Sequence, residues 1–293
     1  MTDFAQIAAH IADASGAPFK PATPTGIGGG CINTAVKLSD GDTHWFVKLN
    51  RAELLDMFQA EYAGLAEMAA TRTIRVPQPL CTGTAGANSY IVMEYIARGR
   101  AGSDGQSKAG ELLAAMHRHS AERFGWLRDN TIGATEQRNA WQDDWIAFWR
   151  DQRLGFQLQL AASNGHGGRL QTLGEQLLDA FPALIDHVPV PSLLHGDLWG
   201  GNISFDSTGN PVIYDPATYY GDREADIAMT ELFGGFSSDF YTAYNAAWPL
   251  DEGYKTRKTL YNLYHVLNHL NLFGGGYGSQ AEGMMERLLG EIR

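Results

Sequence analysis

Three side chains, Asp197, Asn202 and Asp215, stand at spacings that suit one reaction. Asp197 and Asn202 share the stretch His195-Gly196-Asp197-Leu198-Trp199-Gly200-Gly201-Asn202, entered from the apolar pair Leu193-Leu194. A second apolar run, Val212-Ile213-Tyr214, ends on Asp215. Transfer of a phosphoryl group to a hydroxyl needs a carboxylate to orient the attacking oxygen. It also needs an amide and a second carboxylate to hold Mg²⁺ against the phosphates. Asp197 is therefore the candidate base, and Asn202 and Asp215 are the candidate metal ligands. A polar turn between two strands would account for Gly200 and Gly201. It would not account for the five-residue step from Asp to Asn followed by an Asp at the end of the next apolar run.

Such chemistry needs a grip on phosphates, and a candidate lies upstream. In Gly26-Ile27-Gly28-Gly29-Gly30-Cys31-Ile32-Asn33, the residues Gly28, Gly29, Gly30, Cys31 and Asn33 are positioned to form a glycine-rich turn. Backbone N–H groups of such a turn approach phosphates without side-chain obstruction. Neither a Walker A sequence nor a complete G-x-G-x-x-G is present, because Cys31 falls where the final glycine belongs. Lys48 closes the apolar stretch Trp45-Phe46-Val47, and Glu61 or Glu67 in the next segment can supply its counter-charge.

The elements that must position these groups follow from hydrophobic period. Phe4, Ile7, Ala8 and Ile11 predict a short amphipathic helix ending near Gly16. Strands are expected over 34–38 and 43–49 across the Asp40-Gly41 hairpin signal. A helix is expected over 52–70, then a buried strand over 89–96. Beyond it the chain reads as helical: a Trp-rich stretch over 141–160, a helix over 169–181 ended by Pro182, and an apolar helix over 254–273 stopped by three glycines. His117 reads as structural. His265 and His269 are four apart, but Val266 stands where a zinc peptidase carries its Glu, so packing or substrate contact is preferred.

The step from Asp197 to Asn202 matches the catalytic-loop pattern of protein kinases. With His195-Gly196-Asp197 in place of His-Arg-Asp, the loop resembles the small-molecule branch of that fold, which includes aminoglycoside phosphotransferases and choline kinases. HGDLWGGN is similar to the fructosamine kinase (ketosamine 3-kinase) family in particular. So are Asn130-Thr131-Ile132-Gly133 with Gln137, Asn139, Trp141, Trp145, Phe148, Arg153 and Leu154, and the run from Asn268 through His269 to Gly274. The resemblance runs from about residue 26 to about residue 278.

That resemblance implies an α+β, bilobal protein-kinase-like fold. Residues 1–96 would form a small antiparallel β-sheet N-lobe with one helix that binds nucleotide. Residues 97–293 would form a larger, mainly helical C-lobe carrying the catalytic loop and substrate site. It implies ATP and Mg²⁺ as cofactors, adenine at the backbone of Glu94, Tyr95 and Ile96, and Lys48 on the α- and β-phosphates. It also favours Glu61 over Glu67 as the partner of Lys48. Trp199, Asp222 and His269 would contact substrate, and His195 and Asp226 would support the loop, although a solvated helix N-terminus explains Asp226 equally well. The implied acceptor is the 3-hydroxyl of a ketosamine, free or protein-bound, in deglycation repair. Cys31 is a candidate redox residue, and the family pattern admits a monomer or a redox-linked dimer through its loop. An aminoglycoside- or choline-type phosphotransferase would share the catalytic residues. A nucleotide-binding pseudokinase would be expected to lack some of them. Asp215-Pro216-Ala217 replaces Asp-Phe-Gly and no Ala-Pro-Glu follows, which favours small-molecule acceptors over proteins that need a peptide platform.

Composition agrees with a globular enzyme. The chain has 293 residues, 44% of them hydrophobic, enough to bury a large core. Its formal charge of -11 argues against nucleic acid or an anionic membrane as partner. Two cysteines, Cys31 and Cys81, make no disulfide framework. With no apparent secretory signal and no apolar stretch of spanning length, a cytoplasmic location is expected.

Overall fold

The computed structural model describes residues 2–28 and 33–292. Gly29, Gly30 and Cys31, expected in the phosphate loop, lie outside the described residues. The chain divides into two compact units: Met1–Gly105 with Ile203–Pro216, and Gln106–Asn202 with Ala217–Arg293. The first thus takes a short later segment as well as the N-terminal third.

The first unit begins with helix α1 (Phe4–Ser15), capped by the Asp3 carboxylate, which accepts from the N–H groups of Ala5 and Gln6. Gly16 closes it in the left-handed conformation. Strands β1 (Thr25–Ile27), β2 (Thr34–Asp40) and β3 (Thr43–Arg51) follow, then helix α2 (Leu55–Ala70) and strands β4 (Pro79–Ala85) and β5 (Asn88–Glu94). They form one antiparallel sheet in the order β1-β2-β3-β5-β4. The β2–β3 hairpin pairs out to Asp40 and Thr43, farther than the expected strand ends. Gly41, at φ 55°, turns the chain within two residues, so Ser39 and Asp40 remain in the ladder. Ile7 and Ile11 of α1 join Val36, Leu38, Val47, Leu49, Tyr90 and Val92 in one core. Phe58, Leu65 and Met68 give α2 its buried stripe, and α2 packs on β4 and β5.

The second unit opens with α3 (Gly105–His117) and the hairpin β6 (Asn130–Ile132) and β7 (Thr135–Gln137). Helices α4 (Trp145–Trp149) and α5 (Phe156–Ser163) run into each other through a π-helical segment, Arg150–Gly155. Helix α6 (Arg169–Ala180) ends in a 3₁₀ turn, Phe181–Leu184, which accommodates Pro182 in its first turn. Strand β8 (Ser192–Leu194) leads into the loop of Asp197.

The chain then returns to the first unit as the hairpin β9 (Ile203–Phe205) and β10 (Pro211–Ile213). Arg75 fastens this hairpin: its guanidinium reaches Asp206 at 2.6 Å and Glu94 at 2.5 Å, and its carbonyl accepts from the Ile213 N–H. Back in the second unit, β11 (Tyr219–Gly221) pairs with β8, and α7 (Glu224–Leu232), α8 (Ser238–Ala247), α9 (Tyr254–Phe273) and α10 (Tyr277–Glu291) follow. Helix α9 is buried on most faces and packs against α5, α7 and α10, and it buries Arg257, Asn262, His265 and Asn268 along with its apolar side chains. Gly274 ends it at positive φ. No helix among the described residues is long and apolar enough to cross a membrane.

Candidate active site

In the first unit, β3 carries Lys48 to a buried ammonium position where the Glu61 carboxylate of α2 lies 2.6 Å away. Asp215, which follows β10, is its second partner. Burial alone would drive the lysine neutral. Asp215 and then Glu61 outweigh that effect and hold the ammonium charged well above its ordinary range. Burial also pushes the Glu61 carboxyl upward against the pull of Lys48. Asp215 sits at φ 60°, a left-handed conformation that Asp tolerates better than most residues. Its side chain is 46% exposed. A positive-φ carboxylate fixed by a buried lysine, with nearly half its surface open, suits a hard cation that takes oxygen donors. Glu67, the competing partner, is not the glutamate that Lys48 meets. The Asn33 carboxamide oxygen accepts from Asn50 at 2.7 Å. The Glu94 N–H donates to the Gln78 carbonyl at 2.8 Å, so it serves the protein's own ladder, and the strand ends there, just before Tyr95 and Ile96. Gly28 has open space where a side chain would be.

In the second unit, β8 and β11 form a short ladder, and the chain leaves β8 at His195. Asp226, in the first turn of α7, accepts from the His195 N–H at 2.7 Å and from the Gly196 N–H at 2.8 Å. His117 of α3 adds a contact at 3.1 Å from its Nε2. Asp226 is buried, so these bonds, rather than water, satisfy its carboxylate. Burial opposes its ionisation, but His117 and the loop amides win, and its pKa lies below the ordinary value. The His195 ring accepts from the Asp197 N–H, and its carbonyl accepts from Ala217. Gly196, at φ 81°, abuts the Ala217 carbonyl so closely that any side chain would collide with it.

The Asn202 amide donates to the Asp197 carbonyl oxygen at 2.9 Å and to its carboxylate at 3.2 Å. This steadies Asp197 and turns the Asn202 side-chain oxygen, a ligand atom for a hard cation, to the opposite side of the amide. Trp199 is 40% exposed, and its indole lies over Gly201, which has no room for a side chain. Gly200 packs against Gly234 and Gly235 and donates to the Gly234 carbonyl at 3.2 Å. The two glycines of the motif are thus needed for close approach.

Asp222, expected at the substrate, is instead buried. Its carboxylate accepts from Tyr261 at 2.5 Å and from the Glu224 N–H, and it meets His187 at 2.8 Å. Among the described residues, His187, Asp222 and Glu224 are the one cluster of three or more His, Cys, Asp or Glu side chains whose ligand atoms lie close together. Arg257 already occupies Glu224 with two donors at 2.7 and 2.9 Å, so protein partners take up these charges. His269 is half-buried; its Nδ1 donates to the His265 carbonyl, and its ring meets Phe233 at 5.0 Å.

The second unit also holds a buried polar network. Asn130 donates to the Thr218 carbonyl and Gln137 to the Ala217 carbonyl, at 2.8 and 3.0 Å. Tyr264 donates to Gln137, Asn139 donates to Asn130, and Arg153 donates to Asn139. Arg153 is fully buried over the rings of Tyr219 and Phe148, at 4.3 and 4.6 Å. These residues carry the family likeness in the sequence, but their role in fixing residues 217–218 is not visible there. The available signal is Arg153 in a stretch otherwise rich in Trp, Phe and Leu.

Comparison with known proteins accords with this geometry. The chain is 49% identical over 284 residues to a protein described as a probable ketoamine kinase of Synechocystis, covering 97% of this chain and 96% of the other. It is 46% identical over 270 residues to the chloroplastic protein-ribulosamine 3-kinase of Arabidopsis thaliana, covering 90% and 81%. The crystal structure of a candidate fructosamine-3-kinase from Haemophilus somnus superposes with a TM-score of 0.88 at 30% identity, over 97% and 96% of the two chains. An aminoglycoside phosphotransferase, APH(4)-Ia, bound to AMP-PNP and hygromycin B, shares the fold alone, with a TM-score of 0.62 at 12% identity over 97% of each chain. The model of the fructosamine kinase family matches residues 3–291, end to end across the sheet, the loop of Asp197 and α9, and the chain belongs to that family.

Proposed function

We propose that this chain is an ATP-dependent phosphotransferase acting on the 3-hydroxyl of ketosamines, sugars joined to amines by glycation. The observation that carries the reading is the buried Lys48–Glu61 pair with Asp215 as second partner of the lysine. A lysine kept charged by two carboxylates in a buried position suits the phosphates of a nucleotide. The likeness to a protein-ribulosamine 3-kinase and to ketoamine kinases supports the choice of acceptor.

In this reading Asp197 receives the proton of the acceptor hydroxyl, and Asn202 holds that carboxylate in place through its amide N–H. Asn202 and Asp215 are the residues that would hold Mg²⁺, which when bound neutralises charge on the phosphates. Lys48 steadies the α- and β-phosphates, and Glu61 keeps the ammonium oriented. Adenine lies against the backbone after β5, near Tyr95 and Ile96. Trp199 offers an aromatic face to the sugar. Most of the acceleration comes from positioning and electrostatics, since no covalent intermediate is required.

The test is a panel of ketosamines, aminoglycosides and choline with Mg²⁺ and ATP. Phosphate should appear on the ketosamine 3-hydroxyl, and the product should shed its sugar on standing. Transfer to an aminoglycoside with none to any ketosamine would overturn the acceptor while leaving the fold intact. Asp197→Asn should keep ATP binding and lower kcat by roughly 10²–10⁴-fold, the usual worth of a general base. Wild-type turnover in that variant would remove Asp197 from the mechanism.

A further inference from the structure

The aromatic surface of the second unit continues beyond Trp199. Trp199 meets Phe233 at a ring-centroid distance of 6.3 Å, and Phe233 meets His269 at 5.0 Å. His269 in turn meets Phe273 at 5.5 Å and Tyr277 at 5.2 Å. Phe233 is 42% exposed and Phe273 is 65% exposed, although large apolar side chains elsewhere in the chain are mostly buried. The rings come from three places: the catalytic loop, the residue after α7, and the junction of α9 and α10. Helical period accounts for the step from His269 to Phe273 within α9, but not for Trp199 and Phe233 beside them. At its centre His269 is fixed. A carbonyl can only accept, so Nδ1 carries the proton of the bond to His265, and that bond sets the plane of the ring.

We propose that this strip is the subsite for the amine-bearing part of the acceptor, taking the methylenes and adjoining peptide of a glycated lysine. The proposal rests on the ketosamine reading of the site. The nitrogen joining such a sugar to its carrier is basic, and a cation is attracted to ring faces. The lysine methylenes cover apolar ring surface that otherwise faces water. The strip starts at Trp199, two positions from Asp197, so a carrier extending away from the sugar has a continuous aromatic path. The chain's charge of -11 further favours a cationic carrier.

The experiment compares kcat/KM for two ketosamines with the same sugar, one on lysine within a short peptide and one on methylamine. The wild-type enzyme should favour the peptide. Phe273→Ala should lower that ratio about 2–5-fold, the worth of one exposed ring contact. Phe233→Ala combined with Phe273→Ala should lower it further, and Phe273→Tyr should restore it. Phe273 is mostly exposed, so its truncation leaves the core intact. Val188→Ala, at an exposed apolar residue outside the strip, should leave the ratio unchanged. A wild-type ratio near one, or a ratio unmoved by both Phe variants, overturns the subsite while leaving the ketosamine reading standing. A wild-type enzyme that phosphorylates neither compound overturns that reading and the subsite together.

Discussion

Lys48 keeps its charge in a buried position because two carboxylates outweigh the loss of water. Removing one of them should show which one orients the ammonium. Glu61→Gln retains a hydrogen-bond acceptor but leaves Asp215 as the single counter-charge. The lysine should then be drawn toward Asp215, and kcat/KM for ATP should fall roughly 10–100-fold, about 1.4 kcal/mol per factor of ten. Steady-state kinetics with ATP varied would check this, and an unchanged value would make the pair structural. The two cysteines can also be told apart. Burial pushes the Cys81 thiol up to about 11, which leaves almost no thiolate at neutral pH. A chromogenic disulfide reagent should leave Cys81 unmodified in the folded protein and reach both cysteines only after unfolding. Any reactivity of the native enzyme at neutral pH then belongs to Cys31, and Cys31→Ala should abolish it. Labelling of Cys81 in that variant while it is folded would contradict the burial argument.

At the scale of elements, the loop of Asp197 is short and irregular, and regular elements hold it from behind. Helix α7 presents Asp226 to two successive loop N–H groups, and α3 adds His117. Asp226→Asn keeps the shape and one acceptor but loses the charge and the second acceptor. Bonds to a charged group are worth about 1.5–3 kcal/mol, and part of that should appear in turnover. The expected result is a fall in kcat of about 10-fold with KM for ATP within a factor of two. A lowered melting temperature with unchanged kcat would mean that Asp226 only supports the fold. The hairpin of β6 and β7 and the π-helical turn serve residues 217–218 in a similar way. Arg153 lies within that turn and is the donor for Asn139, so the widened turn and the polar network occur together.

The whole molecule should be sensitive to acid through a buried histidine. Burial lowers the His265 pKa to about 3 from an ordinary 6.5, with the neighbouring His269 adding to the effect. The folded state therefore refuses a proton that the unfolded chain accepts. Stability should be full above about pH 6.5 and decline as the pH falls from there toward 3. Asp226, whose pKa is lowered in the fold, adds a further loss once the pH falls through the carboxylate range. Denaturant unfolding at several pH values should show this slope, and His265→Gln should flatten its upper part. An equal slope in both proteins would assign the acid response to other groups. The family match spans both compact units.

Much of this was legible in the sequence because it is local. The spacing of Asp197, Asn202 and Asp215, the period of α1, α2 and α9, and the Gly41 and Gly274 stops depend on near neighbours along the chain. Lys48 and Glu61 are 13 positions apart, one strand and part of a helix, and their pairing was accessible by pattern. Partnerships across long separations were not. His117 and Asp226 are 109 positions apart, Gln137 and Ala217 are 80, and Tyr264 and Gln137 are 127. Asp222 had an acidic, motif-adjacent appearance, and only the packing of Tyr261 and His187 around it revealed a buried structural carboxylate. Phe233 carried no motif at all, and its place beside Trp199 and His269 depends on three separate elements converging. Residue type and period determine what a segment can become. Which buried polar atoms satisfy one another is decided only when the elements pack, because an unpaired buried group is too costly to leave and its partner can come from anywhere in the chain.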